Sequence, residues 1–271
     1  MAVLSVGVVL RPRGVRRRAA ITWLILTGHL INVGGHRIQL DCRGNGSPTV
    51  VMDSGLNMTM DSWGRVPSDV AGFTRVCTYN RAGLGFSDAE PRPRTSKAIV
   101  SELDELLVNA GITGPYVLVG HSFGGINVRL YASQHPDKVV GMVLVDSSHE
   151  DQSQRLAALM SGVEKEEYLD SQGGGNHEGI DLLASAEELR GAAPIHAMPL
   201  LVLTAGRRVQ QDTAEAQVIA QVQADLAKLV PNGKQIIADN SWHFIQLDRP
   251  FLVTDSIFQV VRAAREHSTS L

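Results

Sequence analysis

The sequence predicts an α/β fold, a mostly parallel sheet covered by helices on both faces, and three observations predict it. Short apolar runs of strand length alternate along the chain with longer segments of helical period. Two central runs, VLVG at 117–120 and VVGMVLV at 139–145, are apolar almost throughout, as strands buried on both faces are. The first of them passes directly into a helix through a serine set between glycines, GHSFG at 120–124, at the kind of strand end where open α/β sheets bind ligands.

Residues 1–28 differ from the rest of the chain. Arg11, Arg13, Arg16, Arg17 and Arg18 form a basic cluster ahead of an apolar stretch from Ala19 to Leu26. That stretch is far shorter than the roughly 20 apolar residues a bilayer span needs. It also starts late and lacks a small-x-small cleavage site, so the segment is read as a disordered or partly helical extension. An export signal or a shallow membrane tether is the alternative.

From residue 29 to 271 the chain is expected to form one domain. Leu30–Val33 and Arg37–Asp41 flank Gly34-Gly35, the signature of an antiparallel hairpin. Thr49–Asp53 and Thr74–Tyr79 are the next strands. Residues 97–109 carry apolar side chains at 99, 100, 103, 106 and 107, which is helical spacing. Gly111 and Pro115 separate that helix from the strand at 117–120, and the helix after the serine runs to about Gln134. The strand at 139–145 precedes a polar insert, residues 147–197, read as a small, mostly helical lid over the strand ends. Leu200–Thr204 resumes the sheet. A helix over 212–230 with Val218, Val222, Leu226 and Leu229 on one face comes next, then a strand at 234–238 and a helix at 250–264.

Composition excludes little but excludes it clearly. With 271 residues, 44% of them hydrophobic and 20% charged, the chain is an ordinary globular protein with ample core. A formal net charge of −3 gives no whole-protein attraction to nucleic acid. Two cysteines, Cys42 and Cys77, are too few for a disulfide framework or a zinc cluster. Both fall near predicted strands, and two buried free thiols are expected in preference to one bridge. The cytoplasm is the favoured location, with export or membrane association through residues 1–28 as the alternative.

Chemistry enters at Ser122. A serine hydroxyl is a weak nucleophile unless it is exposed and held beside a base. A tight strand-to-helix turn does the holding, since Gly120 and Gly124 have no Cβ to clash across it. The base must be a histidine oriented by a carboxylate. Of nine histidines, His243 lies just after the last strand, at the correct edge of the sheet. His29 and His36 come before the core strands, His135 ends the serine's helix, and His267 lies in the tail. His149, His177 and His196 fall in or beside the insert and are read as surface residues, while His121 should project away from its serine neighbour. Two aspartates compete for the third role. Asp146 ends the strand beyond the serine's own and is favoured. Asp212 lies in the loop after the penultimate strand but also suits the N-cap of the helix after it. The oxyanion donors are expected to be the amides of Phe123, directly after the serine, and Leu56, after the glycine in VVMDSGLN.

The segments GHSFGG, YNRAGLGFSD at 79–88 and SWHFIQLDRP at 241–250 together resemble the α/β-hydrolase superfamily, in its serine-hydrolase branch, over residues 29–266. The resemblance implies an eight-stranded sheet with a lid after the sixth strand, no cofactor and no metal. It also implies hydrolysis of a small-molecule carboxylic ester or lactone through a Ser122–His243–Asp146 triad. Amide or peptide hydrolysis and perhydrolysis use the same triad, and a non-catalytic small-ligand-binding protein would keep the same fold. Neither nucleic acid nor, outside residues 1–28, a membrane is implied as a partner, and no oligomeric state is set. Three positions depart from the family pattern. Ser54 replaces the usual histidine before Gly55. Trp242 stands where glycine often precedes the histidine. Asn80 replaces the aspartate of an Asp-Arg pair, which implies the loss of a structural ion pair.

Overall fold

The computed structural model describes residues 28–271, so all of the expected N-terminal extension except Gly28 lies outside the described residues. Eight strands form one sheet: β1 (His29–Val33), β2 (His36–Arg43), β3 (Thr49–Asp53), β4 (Val76–Asn80), β5 (Tyr116–His121), β6 (Val139–Val145), β7 (Leu200–Ala205) and β8 (Lys234–Ala238). Their spatial order is β1-β2-β4-β3-β5-β6-β7-β8. The β1–β2 hairpin pairs antiparallel, β2 pairs antiparallel with β4, and every other pairing is parallel.

Ten α-helices connect and cover these strands: α1 (Val66–Val70), α2 (Ser96–Asn109), α3 (Gly124–Gln134), α4 (Gln152–Ala157), α5 (Gly162–Ser171), α6 (Leu182–Arg190), α7 (Gly206–Val209), α8 (Ala214–Leu226), α9 (Ile245–Asp248) and α10 (Pro250–Arg265), counted among the described residues. The strands are apolar on both faces because both are covered. Leu118 and Leu144 enter one core cluster together with Leu103 of α2 and Leu130 of α3. Val117, Val119 and Val143 enter the other, with Ile257 and Val260 of α10. Successive residues of a strand face opposite ways, so one valine-leucine run feeds two cores. Three short helices, α4 to α6, occupy the stretch between β6 and β7. Among the described residues no helix is long and apolar enough to cross a membrane.

Three expectations need correction. Cys42 and Cys77 are not free thiols but a disulfide, because β2 and β4 place them directly opposite one another with Cα atoms 4.1 Å apart. The buried stripe of α8 runs through Ala216, Ile219, Val222 and Leu226; Val218 is only half-buried, and Leu229 packs against the core from the turn after the helix. Gln223 is buried as well, because its amide donates to Ser147 O at 2.6 Å. Finally, Thr213 and not Asp212 caps α8, its hydroxyl accepting from Ala216 N at 3.1 Å.

Candidate active site

The carboxyl ends of β5, β6, β7 and β8 meet along one rim of the sheet, and the candidate residues lie there. Ser122 follows β5 directly with φ at +52°, a left-handed conformation that an L-residue adopts only when its surroundings compel it. The compulsion is visible: Ser122 N donates to Val145 O at 3.2 Å, while Ser122 O accepts from Gly125 N at 3.0 Å and Ser148 N at 2.9 Å. A Cβ on Gly124 would stand 2.2 Å from Asp53 O, so only glycine lets α3 start this close to β3. The turn after β3 approaches from the other side, where a Cβ on Gly55 would meet His121 Nδ1 at 3.0 Å and Ser122 Cβ at 3.3 Å.

Asp146 follows β6 with φ at +38° and is buried. Its backbone amide donates to Leu203 O at 2.7 Å, and its Oδ1 accepts from Ala205 N at 3.0 Å. Its Oδ2 lies 2.6 Å from His243 Nδ1 and accepts from Arg208 Nη1 at 2.9 Å. Burial alone would push this carboxyl up. The His243 bond and the Arg208 charge outweigh burial and hold it below the usual carboxylate range. With Nδ1 donating to an ionised carboxylate, Nε2 of His243 is the nitrogen left to take a proton.

His243 sits on the loop between β8 and α9. Asp248 holds that loop, its Oδ2 accepting from Trp242 N at 2.8 Å and from Ser241 Oγ at 3.2 Å. The carbonyl of His243 lies 2.9 Å from Nε2 of buried His121, and the two rings are 4.7 Å apart between centroids. His121 therefore ties the serine turn to the histidine loop, as the donor of that bond. Burial, reinforced by the neighbouring His243, drives His121 down to about 3, so it stays neutral. The Asp146–His243 bond is formed in this conformation. Ser122 Oγ, by contrast, makes no hydrogen bond to a protein group among the described residues. Serine–histidine bonds of this kind are often long without substrate and tighten when it binds.

A cleft of about 140 Å³ opens over the serine. Leu56, Phe123, Ile126, Leu182 and Ala186 form its apolar wall. Ser148, His149, Glu150, Gln152, Ser153 and Gln172 supply its polar lining. The amides of Leu56 and Phe123 have no backbone acceptor among the described residues. Asp212, the alternative acid, is exposed beside the start of α8. Among the described residues no group of three or more His, Cys, Asp or Glu side chains is placed to hold a metal ion.

The structure also contains what sequence reasoning missed. His149 is no surface residue: it lines the cleft at 9% exposure. Arg208 occupies the region after β7 where an acid was sought, and joins the Asp146–His243 pair. Asn80 does not cost the fold an ion pair, because Arg81 pairs with Asp53 and Glu178 instead, all three buried. The only signal for Arg208 was negative, the lack of an acid within three residues of Gly206.

An eight-stranded sheet of this order, with a strained serine turn after the fifth strand and a histidine after the eighth, defines an α/β-hydrolase fold. Residues 48–175 match the family model described as alpha/beta hydrolase fold, in agreement with the sheet order. It is 29% identical over 231 residues to the uncharacterized protein YqjL of Bacillus subtilis (strain 168), a match covering 84% of this chain and 89% of that one. A thermophilic esterase from Thermogutta terrifontis superposes with a TM-score of 0.62 at 20% identity, covering 87% of this chain and 97% of that one. The enol-lactonase from Burkholderia xenovorans LB400 superposes with a TM-score of 0.62 at 17% identity, covering 86% and 100%.

Proposed function

We propose that this chain is a serine hydrolase of small carboxylic esters or lactones, with Ser122 as nucleophile, His243 as general base and Asp146 as the group that orients it. The observation that carries the reading is the 2.6 Å Asp146–His243 bond on the same sheet rim as a serine held at positive φ. In the first step Ser122 Oγ bonds to the substrate carbonyl carbon while Nε2 of His243 takes the hydroxyl proton. The carbonyl oxygen becomes an oxyanion facing the amides of Leu56 and Phe123. Collapse breaks the carbon–oxygen bond to the leaving group, which departs as an alcohol with the proton from Nε2. A water then repeats the sequence on the acyl-enzyme, releasing the acid and restoring the serine. For a lactone the leaving alcohol remains attached to the acyl chain.

The cleft favours the small end of this substrate range. Of the apolar insert residues Leu156, Leu159, Met160, Leu182 and Leu183, Leu182 alone lines it. Leu159 is 44% exposed, and polar residues of α4, Gln152 and Ser153, take the wall instead. The Cys42–Cys77 bridge supports work in an oxidising compartment rather than the cytoplasm expected from sequence.

A fluorophosphonate probe tests the reading: it should label Ser122, and Ser122→Ala should abolish labelling. The same substitution should lower kcat on a short nitrophenyl ester by on the order of a millionfold. Ester turnover surviving in purified Ser122→Ala protein would overturn the mechanism.

A further inference from the structure

Arg81 and Glu178 lie in a buried cluster beneath the turn after β3, and neither takes part in the proton transfers above. Arg81 Nη2 donates to Gly55 O at 2.7 Å, and Arg81 Nη1 donates to Ser54 O at 2.7 Å. Glu178 accepts from the same guanidinium twice, from Nε at 2.7 Å and from Nη2 at 2.8 Å. It also reaches the turn directly, since Asn57 N donates to Glu178 Oε2 and Asn57 Oδ1 accepts from Glu178 N at 3.0 Å. Asn57 itself sits at φ +60°. Arg81 is 2% exposed and Glu178 1%.

Peptide geometry sets the direction of the next amide. The cis peptide bonds among the described residues all precede prolines, so the Gly55–Leu56 bond is trans. In a planar trans peptide the carbonyl and the N–H of the next residue point in opposite directions. Fixing Gly55 O on Arg81 therefore turns the Leu56 N–H away from the guanidinium, and Leu56 lines the cleft with Ser122 and Phe123. We infer that Arg81 and Glu178 are positioning residues that preset the Leu56 amide to receive the oxyanion, an assignment that rests on the serine-hydrolase reading. The clamp depends on the insert between β6 and β7, which supplies Glu178. That part of the insert is laced to the domain body: Arg94 N donates to Gly179 O at 2.9 Å, and Asp181 N donates to Arg94 O at 2.8 Å. Gly55 O also accepts from Met58 N at 3.1 Å within the turn, so Glu178 acts on this carbonyl by aiming Arg81 and Asn57 rather than as its sole support.

A buried ion cluster with a purely structural role would lower stability when broken but would not act selectively on the transition state. Glu178→Gln separates the two. Rates are normalised to active sites titrated by the fluorophosphonate probe. The expected result is a fall in kcat of about 10²-fold with KM changed by less than about twofold, the size typical of a lost oxyanion donor. Affinity for an aryl trifluoromethyl ketone, whose adduct with Ser122 carries the oxyanion, should fall by a similar factor. Asn57→Gly removes one bond to Glu178, and glycine accepts the positive φ. It should cost on the order of tenfold in kcat and serves if the glutamine variant does not fold. Tyr79→Phe is the structural control: Tyr79 Oη donates to Asp53 at 2.8 Å in the same cluster without a hydrogen bond to Arg81 or the turn. It should lower the melting temperature and leave kcat per titrated site within about twofold of wild type.

Unchanged kcat and ketone affinity in both clamp variants would overturn the assignment, as would a matching kcat loss in Tyr79→Phe. A wild-type protein inert to both esters and the ketone would instead remove the hydrolase reading, and this assignment with it.

Discussion

Asp146 and Ser122 are held at φ values of +38° and +52°, each at the end of its strand. Non-glycine residues in that region cost on the order of 1–3 kcal/mol each and persist where the surroundings over-determine them. Here the ladder does so, tying Ser122 to β6 and Asp146 to β7 through backbone hydrogen bonds. The strain aims a carboxylate at His243 from β6, where the loop after β7 offers only arginines near the strand end. Asp146→Asn should therefore reverse the hydrogen-bonding preference of Nδ1 and lower kcat by about ten-thousandfold. Asp212→Asn should leave kcat within about twofold, as an exposed side chain outside the site. Comparing the two variants on one ester checks this, and a larger loss in Asp212→Asn would reassign the acid. Arg208 shares Oδ2 with His243, so one carboxylate oxygen meets both side chains. Sequence spacing points to Asp146 as a candidate, but for the arginine across the rim it offers only the lack of an acid near Gly206.

At the scale of elements, legibility followed locality. The apolar positions 99, 100, 103, 106 and 107 of α2 are all buried, because a helix reads its own period from its own residues. The serine elbow was legible for the same reason, its glycines and hydroxyl lying within five residues. What failed needed partners far away in sequence. The face of α8 turned because buried Gln223 serves Ser147 O, and the ion pair inferred lost at Asn80 was replaced by Glu178, 97 residues beyond Arg81. The cysteines belong to the same class: their pairing is a matter of register between β2 and β4, which spacing does not reveal. The bridge spans a sequence separation of 35. Closing a loop of that length is worth about 4 kcal/mol in the chain-entropy model. Cys42→Ser together with Cys77→Ser should lower unfolding free energy by roughly that amount, or somewhat less where the denatured chain keeps structure. Denaturant unfolding of both proteins under oxidising conditions measures it. Equal midpoints would show that the bridge contributes nothing to stability.

Across the whole molecule, His121 links the serine turn after β5 to the histidine loop after β8, and so couples the site to global stability. It is buried and neutral, at about 3 in the fold against 6.5 for the free side chain. Between those two values the unfolded chain binds a proton that the native protein refuses. Stability therefore rises with pH across this window and falls as pH drops below about 6.5. Asp53 works with the opposite sign, because burial raises its carboxyl and the fold retains its proton to higher pH than the unfolded chain does. That contribution is shared by wild type and a His121→Gln variant and cancels in their difference. The variant still offers an N–H to the His243 carbonyl but has no titrating ring. Going from pH 7 to pH 4, wild type should lose about 3 kcal/mol more unfolding free energy than the variant. Urea titrations of both proteins at the two pH values give that difference directly. Equal losses would mean that His121 takes up a proton in the native state, and an imidazolium at that position would have to be accommodated beside Arg208 and His243 without breaking the rim.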